Sequence, residues 1–297
     1  MSSVPPGRRR RALLPRIFER AAVDPAGRVT PGRLRARVMH VLGGYAAPVR
    51  CYRRLRPRWV WERVNPNGKA TKRYVDAHGL VVRRGPFAGM TYPSAAIGNT
   101  SFLPTKLLGA YEPELASVLA EAGNFDLFVD IGSGEGYYCV GVKRRFPETR
   151  VVGYETDRFE RRLSAKLATV NGVTIETRGT ADHDALNALA FGRLLLMTDV
   201  EGYEYQLVDP GAVPGLREAT MIVEAHPAVH PDVVDVLTAR FSATHDIELV
   251  AGRAKQVGDY PELARWEPTL ARYAISEGRA TDPLWLVLRP RGMQGLA

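Results

Sequence analysis

Short apolar runs alternate with amphipathic stretches through the last two-thirds of this chain. Residues 127–131, 150–155, 173–177, 194–198, 220–224, 247–250 and 284–288 are runs of four to six residues rich in Val, Ile and Leu. That is strand length, and runs without polar alternation suit strands covered on both faces. Helical patterns fall between them. Residues 137–145 read as one helix, and Asp157 can cap a second over 158–170, with Phe159, Leu163, Leu167 and Val170 on one stripe and Asn171-Gly172 at its end. Asp182 can cap a helix over 183–190, and Pro231 suits the first turn of another. Upstream, Pro113 opens a stripe of Leu115, Val118 and Leu119 that stops before Gly123, and 81–92 reads as strand and turn. Strands alternating with helices predict an α/β fold: a Rossmann-like, doubly wound, mostly parallel seven-stranded sheet with its ligand sites at the strands' C-terminal ends.

The first of these strands ends in Asp130 and runs directly into Gly132, Gly134 and Gly136. Glycine lets backbone approach a ligand closely and tolerates positive φ. A dinucleotide fingerprint needs a third glycine that would fall at Tyr137 or Cys139 and is absent. The acidic-x-G-x-G-x-G run at 130–136 resembles instead the first motif of class I S-adenosylmethionine-dependent methyltransferases. The second strand closes on Glu155, 25 residues after Asp130. A carboxylate there can accept from vicinal ribose hydroxyls, in an NAD site as in an S-adenosylmethionine site. The resemblance implies that Gly132, Ser133, Gly134, Gly136 and Tyr137 line the cofactor, that Asp130 orients the turn or the methionine amino group, and that Glu155 holds the ribose. It also implies that the loop with Ala181 and Asp182 passes the adenine, and that Lys106, Tyr111 and Glu112 lie in a segment closing over the methionine end. Asp182 reads equally well as a plain helix cap.

A second motif follows the fourth strand. Asp199-Val-Glu-Gly-Tyr-Glu204 sets three carboxylates within six residues at a strand end. With 221–226, which ends Glu224-Ala-His226, it resembles the FkbM-like methyltransferases, mainly O-methylating enzymes, over about residues 105–290. The Asn/Asp-Pro-Pro-Tyr/Phe signature common in amino-methylating enzymes is replaced here by Asp-Val-Glu-Gly, which disfavours base N-methylation. Asp199 then faces both cofactor and acceptor. Asp199, Glu201 and His226 are the candidate catalytic groups, His226 having the ordinary pKa range of a general base at neutral pH. Asp199, Glu224 and His226 could alternatively hold a divalent metal, although their spacing is not diagnostic. His230 reads as surface, and Glu204 as an acid paired with an arginine or touching the substrate.

Charge adds a separate feature. The net charge is +9, yet residues 1–85 hold 21 basic against 4 acidic residues, leaving 20 against 28 for the remainder. The expected organisation is a basic N-terminal extension over 1–88, partly disordered or a small α/β appendage, then a methyltransferase domain over 89–292 and a tail at 293–297. Residues 251–283, with Tyr260, Trp266 and Tyr273, are long for a connection and make a candidate lid or a helix packed on the sheet edge. The basic front suits RNA, an anionic membrane surface, or neither. No apolar run approaches the roughly 20 residues of a spanning helix, no secretory segment is evident, and two cysteines make no disulfide framework. A cytoplasmic, or membrane-peripheral, setting is expected. The function expected is S-adenosylmethionine-dependent methylation of a hydroxyl on a small-molecule, sugar, glycan or lipid-linked acceptor. RNA methylation, a non-catalytic scaffold and an NAD-dependent oxidoreductase are the rivals.

Overall fold

The computed structural model describes residues 21–23, 29–31, 66–189, 192–279 and 282–292. Most of the basic front and the 293–297 tail therefore lie outside the described residues. Two compact units are present. In the first, β1 (Ala21–Val23) pairs antiparallel with β2 (Val29–Pro31). The second carries the sheet.

That sheet has seven strands in the order β5-β4-β3-β6-β7-β9-β8. They are β3 (Leu127–Ile131), β4 (Arg150–Tyr154), β5 (Glu176–Arg178), β6 (Leu194–Thr198), β7 (Thr220–Ala225), β8 (His245–Ala251) and β9 (Leu284–Pro290). β3 through β7 are parallel, while β9 runs antiparallel between β7 and β8. The sheet is thus Rossmann-like and doubly wound, reversing its direction of growth between β3 and β6. Alternate residues of the central strands feed two cores. Phe128, Leu195, Met197, Ile222, Trp285 and Val287 face one, and Leu127, Val129, Leu196, Met221, Leu286 and Leu288 the other. Two apolar faces explain why these strands lack polar alternation.

Helices cover both faces. α4 (Tyr137–Arg145) and α5 (Arg158–Val170) follow β3 and β4, and the Asp157 side chain caps α5 by accepting from Phe159 N at 2.8 Å. The buried stripe of α5 is Leu163, Ser164, Leu167 and Ala168, whereas Val170 is 47% exposed, because the helix outruns the core at its last turn. On the other face lie α6 (His183–Asn187), α7 (Glu204–Leu207) and α8 (Val233–Phe241). α8 begins two residues beyond Pro231, and α6 stops short of the expected 190.

The core also reaches further upstream than expected. α1 (Pro66–His78) and the turn joined by the Val81–Thr91 bridge supply Ala70, Tyr74, Val82 and Phe87 to the same core as α2 (Leu103–Leu108) and α3 (Ala116–Ala120). Residues 66–88, expected in the extension, are therefore part of the sheet-bearing unit. The candidate lid contains α9 (Pro268–Ile275), whose Ala271, Ala274 and Ile275 are buried in that core. Thr105 Oγ1 in α2 donates to Ala274 O at 2.9 Å, and Arg73 in α1 sits over the Trp266 ring. The segment is a packed layer. No helix among the described residues is long and apolar enough to cross a membrane.

Candidate active site

Strand register sets out the site. Ile131 of β3 lies level with Tyr154 of β4 and Thr198 of β6, and Thr198 lies level with Val223 of β7. The next residues, Gly132, Glu155 and Asp199, therefore leave the C-terminal edge of three adjacent strands side by side, with Glu224, still within β7, level with Asp199. This edge includes the point where the sheet reverses, where such folds leave a crevice for ligands.

The glycine turn is bound into that edge. Gly132 N and Ser133 N both donate to Tyr154 O, at 2.9 and 3.0 Å, while Asp199 N donates to Ile131 O at 3.0 Å. Gly132 has φ +87°, and a Cβ there would stand 2.0 Å from Asp199 O. Gly134 has φ +51°, but a Cβ there would meet no atom within 4 Å. One glycine lets two strand ends approach, and the other faces open space. Glu155 closes the turn: its Oε2 accepts from Gly134 N at 3.0 Å and its Oε1 from Asp157 N at 2.6 Å. Two such contacts leave a carboxylate with lone pairs for ligand hydroxyls.

Asp130 is buried behind the turn, 3% exposed, and accepts from Cys139 Sγ at 3.4 Å. Burial pushes its carboxyl up to about 7, helped by the charges of Asp199, Glu155 and Glu135 and opposed by the Cys139 contact. Between the unfolded value of about 4 and this raised one, the folded chain holds the proton more tightly, so stability falls as pH rises through that window. Asp130→Asn has no such dependence. It should therefore unfold at a higher temperature than the wild type near pH 8, with the gain vanishing near pH 4, in thermal melts across that range. A gain independent of pH would contradict the burial argument.

Beside the turn, Lys106 and Glu135 form an ion pair, 5% and 7% exposed. Tyr92 OH donates to the same Glu135 oxygen at 3.1 Å, and Lys106 Nζ lies 4.5 Å from the Tyr111 ring centroid and 5.4 Å from that of Tyr137. Tyr111 and Tyr137 are edge-to-face at 5.5 Å, and Tyr138 OH donates to buried Glu112. Glu135 and Tyr92 were not singled out from sequence, where Glu135 is only a spacer between glycines. A usable signal was Lys106 itself: a lone charge in the otherwise uncharged α2 stretch LPTKLL needs a buried partner. Glu160 in α5 joins the acidic surroundings, burial and then Glu135 raising it to about 7.

Ala181 is buried against the second core, and Asp182 Oδ1 caps α6 by accepting from Ala185 N at 2.8 Å.

On the opposite side of Asp199 lies His226. Its Nε2 is 3.5 Å from Asp199 Oδ1 and 3.8 Å from Glu201 Oε2, and its Nδ1 is 3.0 Å from Glu204 Oε1. Glu204 pairs with this histidine, not with an arginine, and is fully buried. Burial pulls the imidazole pKa down, but the Glu204 hydrogen bond and the charges of Glu204, Asp199 and Glu201 outweigh it and raise the value overall. Glu201 itself is exposed at the tip of the loop, in left-handed backbone with φ +55°. One ligand atom each from Asp199, Glu224 and His226 lie within 4.8 Å of one another.

Fold and site together define a doubly wound α/β protein with a glycine turn at its switch point and an acid–histidine cluster on the neighbouring strand ends. No protein-family model matches the chain, and no curated protein matches its sequence. Among solved structures it is similar to the Pyrococcus abyssi tRNA (uracil-54, C5)-methyltransferase in complex with S-adenosyl-L-homocysteine, at 13% identity and TM-score 0.39 over 64% of this chain and 40% of that one. It is similar to the B. subtilis tRNA methyltransferase TrmK, at 10% identity and TM-score 0.41 over 60% of this chain and 65% of that one. It is also similar to the O-methyltransferase TomG from Streptomyces achromogenes, in complex with SAM, at 12% identity and TM-score 0.40 over 78% and 94%. The chain thus spans less than two thirds of the first two proteins. The fold class rests on strand order and register, independently of these likenesses.

Proposed function

We propose that this protein is an S-adenosylmethionine-dependent methyltransferase acting on a hydroxyl oxygen. The observation that carries the reading is the strand-end alignment of Gly132, Glu155 and Asp199, with the open space at Gly134. A bound S-adenosylmethionine supplies an electrophilic methyl group. Glu155 would accept from its ribose hydroxyls, the turn from Gly132 to Gly136 would lie against its amino-acid part, and Asp130 would support the turn from behind. His226 Nε2 takes the proton of the acceptor hydroxyl, with Asp199 and Glu201 stabilising the imidazolium that forms. The Asp-Val-Glu-Gly loop favours oxygen over an amino acceptor. The motif resemblance to FkbM-like enzymes supports a small-molecule, sugar or lipid-linked acceptor, and the basic front supports one on an anionic surface or RNA.

A second reading of the acceptor side is favoured by the convergence of Asp199, Glu224 and His226. Two carboxylates and an imidazole suit a divalent cation, which would bind the acceptor hydroxyl and lower its pKa. Calorimetric titration with S-adenosylhomocysteine tests the central claim, with NADH as the competing ligand and Mg²⁺ as a separate arm. Micromolar binding weakened tenfold or more by Glu155→Ala, about 1.4 kcal/mol, is expected. Binding of NADH alone would move the protein to the oxidoreductases, and binding of neither would leave a scaffold.

A further inference from the structure

Glu204 is a fully buried acid on the first turn of a four-residue helix, which makes it costly unless it is well satisfied. Two backbone donors and one ring nitrogen converge on it. Gly202 N donates to Oε2 at 2.8 Å, His226 N donates to Oε1 at 3.0 Å, and His226 Nδ1 lies 3.0 Å from the same Oε1. The loop that delivers these contacts is wound by left-handed Glu201 (φ +55°) and Gly202 (φ +107°). Glu204 thus ties the loop after β6 to the end of β7 and grips one specific nitrogen of the imidazole.

Resting on the methyltransferase reading above, we propose that Glu204 is the positioning residue of the acceptor site: it fixes His226 as the Nδ1–H tautomer, so that Nε2 presents its lone pair to the acceptor side. Two alternatives fail on geometry. A bare Nδ1 would set two lone-pair acceptors 3.0 Å apart in a buried site, which repels. An Nε2–H held by Asp199 or Glu201 would have to reach 3.5 or 3.8 Å, against 3.0 Å for the Glu204 contact. The backbone of His226 is held by the same oxygen, so ring and main chain are fixed together. An Nε2 lone pair is what a general base uses, and equally what a metal ligand uses. The assignment therefore holds for either reading of the acceptor side, and Glu204 acts through His226 without touching the substrate.

The test is long-range ¹H–¹⁵N spectroscopy of full-length protein carrying ¹⁵N-labelled histidine, at alkaline pH where the ring is neutral, with His226→Asn used to assign the signal. The wild type should show a single Nδ1–H tautomer. Glu204→Gln keeps one accepting oxygen where the carboxylate uses two, and should retain the Nδ1–H form only with that oxygen on the His226 side. Glu204→Met, similar in shape without an acceptor, should lose it to a mixture or to Nε2–H. A wild type already in the Nε2–H form overturns the proposal, as does a folded Glu204→Met variant that keeps the single Nδ1–H form. If Glu204→Met does not fold, the wild-type spectrum decides: a single Nδ1–H form supports the proposal, and an Nε2–H form or a mixture overturns it. S-adenosylhomocysteine titration of the same samples should change less than about threefold in Glu204→Gln. Failure of the wild type to bind it would sink the methyltransferase reading while leaving the tautomer result to stand or fall separately.

Discussion

Gly132→Ala should cripple this protein, and Gly134→Ala should leave it folded but with S-adenosylhomocysteine binding weakened on the order of a hundredfold. The two substitutions add the same methyl group two residues apart in one turn. At Gly132 it would stand 2.0 Å from the Asp199 carbonyl oxygen, a backbone atom that cannot swing aside, on a residue at φ +87°. β3 and β6 would have to separate at the switch point, a cost on the order of 4 kcal/mol, read as a collapse of thermal stability or of soluble yield. At Gly134 the methyl meets nothing, so the fold bears only the left-handed strain of about 1–2 kcal/mol. The same methyl would fill the space assigned to the cofactor. S-adenosylhomocysteine affinity should therefore fall on the order of a hundredfold, about 2.7 kcal/mol, in calorimetry on a protein that still melts cooperatively. A Gly134→Ala protein binding like the wild type would remove the turn from the ligand site.

Lys106→Met should destabilise the chain by about 3–5 kcal/mol, because it strands the Glu135 carboxylate in a site where water cannot replace the ammonium. For a unit of this size that corresponds to a fall in melting temperature on the order of 10 °C. The double variant Lys106→Met/Glu135→Gln should recover most of the loss. A neutral amide can still accept from Tyr92 OH, whose 3.1 Å contact is independent of Lys106. Equal losses in the single and double variants would mean that Lys106 matters for packing against Tyr111 and Tyr137 more than for charge.

How well the sequence could be read depended on what holds each element. β3, α4, α5 and β6 have the bounds expected from periodicity, turn residues and the Asp157 cap, because local pattern and core burial agree there. β5 does not: expected over 173–177, it pairs over Glu176–Arg178, a three-residue edge strand with only partly buried side chains. Its register is set by β4 and not by an apolar run, while Val173 and Ile175 pack on the core from the preceding loop. Asp199 was expected to face the glycine-turn side of the site, and the register sets its backbone against Gly132. The buried pairs Lys106–Glu135 and Glu204–His226 were not legible as pairs. Their partners lie 29 and 22 residues apart, and no local rule joins a charge on one element to its counter-charge on another.

The place of β9 bears on the order in which the molecule can be made. It fills the sheet between β7 and β8, yet it is the last of the three to leave the ribosome. Until residues 284–290 emerge, β7 has a neighbour on one side only, and β8 has none in the sheet. Any sheet formed before then holds an open apolar slot through the synthesis of α9. Trp285, Leu286, Val287 and Leu288, all completely buried, then close it. Vectorial synthesis leaves the strand end bearing Glu224 and His226 unsupported until β9 emerges, and until then the unpaired edge is open to other chains.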